Sequence, residues 1–261
     1  MDVGPTAISR SICAALACAA LGFGILGLTS APAHAQSLHD LLFGRHRPSS
    51  GRNFSAPPVA RYVSEDGDLF TLDLTHARPL LKFDDSPEVW TLQAHPAPRG
   101  DIIYKNDVGD PVLRATRLGG ITVFTDHRPQ GEAAALAGGA SPLRLPSLGP
   151  QALLDRLGQA SLHASHAARH VILFDAEADP SSSAVIADAA VVASLAVGRM
   201  ASDPQGQRRL AGLRRVVLEE GKRVAAQVEK GTLKITVIPR LGMAGRPSSE
   251  RIAVAMGAPD R

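Results

Sequence analysis

Between residues 60 and 127 apolar and polar positions alternate in short runs. Phe70-Thr71-Leu72-Asp73-Leu74 alternates strictly, the period of a strand with one face buried and one wet. Arg61–Ser64, Leu80–Phe83, Glu88–Gln93, Ile102–Lys105, Val112–Arg117 and Ile121–Thr125 are similar runs. Clusters such as Glu65-Asp66-Gly67-Asp68, Ser86-Pro87 and Asp107-Val108-Gly109-Asp110 separate them. Glycine in such turns supplies the positive φ that tight hairpins require. About seven strands at this spacing predict a small antiparallel β meander over 60–127, closed as a barrel or a sandwich. Its expected core is Tyr62, Phe70, Leu72, Phe83, Trp90, Leu92, Ile103, Leu113 and Val123.

Residues 128–149 are rich in Gly, Ala and Pro and hold no period, which reads as a linker or a long surface loop. Beyond it the period changes. Leu153, Leu154, Leu157, Ala160, Ala164 and Ala168 share one stripe of a helix that starts at Pro150. Val171–Ala178 suits a strand or a helix extension; the alternation of Ile172, Phe174 and Ala176 favours a strand. Asp179-Pro180 reads as the cap and first turn of a second helix. Residues 184–201 are apolar on nearly every side, so that helix is expected in the core. With Asp188 close to its start, it is not read as a membrane span. A basic helix over Pro204–Leu213 and strands at Arg215–Glu219, Val224–Glu229 and Thr232–Ile238 follow, with Gly221 and Gly231 at the joins. The predicted class is α+β: a β meander, then a helix-plus-antiparallel-meander module over 150–257.

The N-terminus changes the setting. Arg10, the uncharged apolar run Ile12–Leu28 and Ala33-His34-Ala35 have the layout of a signal peptide over 1–35, cut after Ala35. Residues 36–59 then read as a short helix capped by Ser37 and a flexible tether. The expected location is the periplasm, with no transmembrane span in the mature chain. Both cysteines, Cys13 and Cys18, fall in the leader. The mature chain would lack thiols, which excludes thiol catalysis, thiolate zinc sites and iron–sulfur clusters. A net charge of +3 is too mild to indicate nucleic acid; the expected partner is an envelope protein or polymer.

Three segments carry a resemblance: Ala97 through Thr125, Ser86-Pro-Glu-Val-Trp90 and Ala244-Gly-Arg-Pro-Ser-Ser249. Together they resemble an exported alphaproteobacterial family known only as a domain of unknown function. The resemblance implies periplasmic residence and no particular reaction.

Among candidate sites, His163, His166 and His170 repeat at i, i+3, i+7 and share one helical face. Neutral imidazoles in such a row suit a divalent transition metal. His166-Ala-Ala-Arg-His170 has the histidine spacing of zinc proteases but lacks their glutamate base. Asp188, in the most apolar helix, needs a partner, and an Arg or a helix N-terminus that only fixes packing is the reading preferred to an acid–base role. Asp66, Asp68, Asp84, Asp85, Asp107 and Asp110 read as turn formers, not a calcium loop. Ser248 and Ser249 read as loop residues, and Arg208, Arg209, Arg214 and Arg215 as a solvated basic patch. No nucleophile elbow, phosphate loop or cofactor fingerprint is present. The sequence therefore points to a non-catalytic envelope binding or structural protein without a cofactor. The alternative is a metal-binding or metal-dependent hydrolytic protein using the histidine row.

Overall fold

The computed structural model describes residues 57–258. The leader at 1–35 and residues 36–56 of the expected helix and tether lie outside the described residues.

The first module is one antiparallel sheet. Its strands are β1 (Val59–Ser64), β2 (Leu69–Asp73), β3 (Leu80–Phe83), β4 (Val89–Thr91), β5 (Gln93–Pro96), β6 (Ile102–Lys105), β7 (Pro111–Ala115), β8 (Ile121–Val123) and β9 (Glu132–Gly139). They are ordered β4-β3-β2-β1-β9-β8-β7-β6-β5. The two edges, β4 and β5, are separated in sequence by Leu92 alone. The sheet therefore curls until it is nearly closed, which hides edges that would otherwise recruit another chain. Inside lie Tyr62, Phe70, Leu72, Leu81, Leu92, Leu113 and Val123. Tyr62 stacks on Phe70 with ring centroids 5.5 Å apart, and Phe83 meets Trp90 edge-on.

Two expectations change here. Residues 128–149 are not merely a linker, because Glu132–Gly139 form β9 between β1 and β8. Its Ala/Gly run has little strand preference of its own; ladders on both sides hold it. Ile103 is only partly buried and Tyr104 takes the core position. Tyr104 faces Leu113 across the ladder while Ile103 faces Arg114, and a shift of one residue moves a side chain to the other face.

The second module contains α1 (Pro150–Ala168), β10 (Leu173–Ala176), α2 (Ser183–Ala201), α3 (Pro204–Leu210), β11 (Arg215–Glu220), β12 (Ala225–Glu229) and β13 (Thr232–Val237). A 3-10 segment, Pro239–Gly245, leads to α4 (Ser249–Ala255). The α+β class holds. The expected antiparallel meander does not: the order is β10-β11-β13-β12, and only β12 and β13 pair antiparallel. Helices α2 and α3 make the crossover that a parallel β10–β11 pair needs. β11 and β13 bury Val216, Leu218, Leu233 and Ile235 against the helices. β12 has no buried residue, so it takes the edge and β11 pairs past it.

Helix α2 starts at Ser183, later than the Asp179-Pro180 signal implies. Asp179 forms the preceding turn, its carbonyl accepting from Ser182 N and Oγ. By length and composition α2 would suffice to cross a membrane, yet 67% of that stretch is buried in the fold. Leu80, Val89 and Met243, with Leu143 and Leu145, form a third apolar cluster between the modules. Leu143 N donates to the buried carboxylate of Asp73 at 2.8 Å, which pins the connector.

Candidate functional site

The start of α4 is held by the β module. Ser248 caps the helix, its side chain accepting from Arg251 N. Ser248 N and Oγ both donate to the carboxylate of Asp107. Ser249 N and Oγ donate to the buried Glu88, at 2.9 and 2.6 Å. Arg246 lies behind them, its side chain 1% exposed. It donates to Asp188 Oδ2 at 2.5 Å and to the Val89 carbonyl at 2.8 Å, with Glu88 at 3.8 Å. A guanidinium so enclosed is tolerable because carboxylates and a carbonyl replace its water. Asp188 thus meets an arginine that fixes packing.

This clamp positions Glu250. Glu250 Oε1 accepts from Arg199 Nη1 at 3.2 Å, and Oε2 accepts from Asn106 Nδ2. Asn106 is buried, and its Oδ1 accepts from the N–H groups of Val108, Gly109 and Asp110. Three donors fix the carbonyl end of that amide, so its NH₂ must face Glu250. Burial raises the pKa of Glu250, and although Arg199 opposes this, nearby Glu88, Asp110 and Asp126 add to it. A carboxyl perturbed by burial in a cleft marks a functional-site candidate on physical grounds.

The cleft beside Glu250 has a volume of about 570 Å³, within the range of ligand pockets. Asp68, Asp85, Asp110 and Asp126 line it with Glu250, against one described arginine, Arg199. Phe83, Trp90 and Phe124 supply aromatic surface. A cavity of about 270 Å³ shares Asp110, Arg199 and Glu250 with this cleft. Acidic groups in a low-dielectric recess concentrate cations, and aromatic faces attract them further.

The structure does not bring the histidine row together. His163 lies on α1 with Nδ1 3.2 Å from Ser194 Oγ of α2. His166 is exposed on the same helix. His170 falls beyond the helix end at Ala168, and its ring nitrogens face the carbonyls of Ala168 and Leu213. Among the described residues no three His, Cys, Asp or Glu side chains are grouped to hold a metal ion.

The turn aspartates divide. Asp66 pairs with Arg128 and Asp84 with Arg61, while Asp68, Asp85 and Asp110 line the cleft. In the basic patch, Arg215 pairs with Asp175 and Arg214 donates to main-chain carbonyls. Ser248 and Ser249 are clamp residues, not plain loop. Glu250 carries no local signal in the sequence. The available hint is that Ser86–Trp90, Ala97–Thr125 and Ala244–Ser249, which carry the family resemblance, meet beside it.

A family model described as Domain of unknown function (DUF4908) matches residues 37–256. Neither a curated protein nor a solved structure matches the chain.

Proposed function

We propose a function for a chain that belongs to the DUF4908 family, matched over residues 37–256: it is an exported envelope protein that binds a positively charged partner in the cleft around Glu250. One observation carries this reading. The cleft sets Asp68, Asp85, Asp110, Asp126 and Glu250 around the aromatic faces of Phe83, Trp90 and Phe124. A lysine- or arginine-bearing segment of an envelope protein or polymer fits that chemistry. Binding rather than turnover is the function proposed, since Arg199 and Asn106 already occupy both oxygens of Glu250.

Export rests on Arg10, the apolar run Ile12–Leu28 and Ala33-His34-Ala35. The family match begins at Ser37, just past this leader, which supports the same boundary. The earlier resemblance supports an alphaproteobacterial source and the periplasm as the destination.

Calorimetric titration with tetralysine tests the binding reading. Saturable binding is expected, with tetraglutamate inert. Asp68 and Asp85 are exposed, so Asp68→Asn with Asp85→Asn spares the fold and is expected to weaken binding several-fold. Equal binding by the double variant, or none by the parent protein, would overturn the proposal.

A further inference from the structure

We propose a second binding site, for an amphiphilic anion, in two adjoining cavities that share Arg78 and Ala244. It goes beyond the cation-binding reading, because none of its lining residues lines the cleft around Glu250. Trp90 lines that cleft, whereas its neighbour Thr91 lines the new site, as the alternation of side chains along a strand allows.

The first cavity, of about 380 Å³, is lined by Arg78, which is unpartnered among the described residues; by Arg251, whose Nη2 donates to the Asp107 carbonyl; and by Arg246, which the clamp already holds. Its acidic lining residue, Asp107, is committed to Ser248 through both carboxylate oxygens. Thr91 also lines it, and its buried Oγ1 has no hydrogen-bond partner among the described residues. A buried hydroxyl left unpaired is costly, and an anion accepting from it would remove the deficit.

The second cavity, of about 450 Å³, continues past Arg78 along Leu80, Leu143 and Met243. The exposed Arg144 and Arg240 also line it. Arg78, Arg144 and Arg240 have no hydrogen-bond or ion-pair partner among the described residues. Guanidinium groups beside an apolar channel match a carboxylate or phosphate headgroup carrying an acyl tail. The headgroup would sit among Arg78, Arg251 and Thr91, with the tail along Leu80 and Met243.

Calorimetry of the purified protein with dodecanoate and with dodecyl phosphate, both below micelle formation, tests this. Saturable binding of one or both is expected, and the tighter of the two assigns the headgroup as carboxylate or phosphate. Acetate, inorganic phosphate and dodecanol are expected to bind at least tenfold more weakly. Arg78→Gln with Arg240→Gln changes two exposed side chains. It is expected to weaken the amphiphile at least tenfold while leaving the circular dichroism and melting temperature of the free protein in place. Absence of saturable amphiphile binding, equal binding of dodecanol or inorganic phosphate, or an unaffected double variant would each overturn the proposal.

Discussion

Arg246 Nη2 donates to the main-chain carbonyl of Val89 at 2.8 Å, across 157 positions of the chain. The same guanidinium binds Asp188 in the core helix, so one side chain ties the closing strand of the β module to α2. Replacing it with Met leaves the buried Glu88 and the mostly buried Asp188 without their cation. Arg246→Met is expected to cost about 3–5 kcal/mol, read as a shift in urea midpoint.

Gly245 provides the second check on the clamp. A Cβ there would lie 2.0 Å from the Ile238 carbonyl oxygen, which is backbone and cannot swing aside. Gly245→Ala is expected to destabilise by roughly 1–3 kcal/mol, the usual cost of overpacking. Thermal unfolding would show it, and an unchanged melting temperature would contradict the role of this close approach in stability.

The raised pKa of Glu250 gives a pH dependence with a definite sign. The folded protein holds this proton more tightly than the unfolded chain, whose value is near 4.5. The stabilising contribution is complete below 4.5 and is lost as pH rises through the folded value. Glu250→Gln is expected to flatten stability against pH over that window, measured by urea unfolding. Affinity for tetralysine is expected to rise with pH through the same window, because a cation favours the ionised carboxylate.

Export predicts a mass. Protein recovered from the producing cell is expected to start at Gln36, so intact-mass spectrometry should show the loss of residues 1–35. A product that retains them contradicts the cleaved leader.

Much of this architecture is legible from local pattern. Phe70 and Leu72 alternate with Thr71 because one face of β2 is buried, though the pattern fails at its end, where Asp73 is buried and Leu74 exposed. Leu153, Leu157, Ala160 and Ala164 of the expected α1 stripe face the core, while Leu154 is exposed. β9 is invisible to that logic, since Ala133, Ala134 and Ala135 carry no preference and only pairing to β1 and β8 makes a strand. The parallel β11–β13 pair is hidden for a related reason. Gly221 and Gly231 both look like hairpin turns; Gly231 is one, with Lys230 between antiparallel β12 and β13, but Gly221 N donates to Val237 O instead. A Cβ on Gly221 would meet Thr236 Cγ2 at 2.3 Å, so this glycine serves a close approach.

The candidate site was less legible. Asp188 in an apolar helix signals that a partner is needed, but the Ala244–Ser249 segment that contains Arg246 carries no sign that this arginine is the partner. Glu250 looks like any polar residue in Ser-Ser-Glu-Arg. It becomes distinctive only when Asn106, 144 positions away, and Arg199 close on it. The histidine spacing is genuine, but α1 ends at Ala168 and directs His170 elsewhere.

Trp90 is the chain's one tryptophan and it lines the acidic cleft. Its fluorescence therefore reports on that site without a label. Titration with tetralysine is expected to change the emission saturably, with the response suppressed by high salt and by Asp68→Asn with Asp85→Asn. Emission that stays flat with tetralysine, or that responds equally to tetraglutamate, would contradict the assignment of this cleft as a cation-binding site.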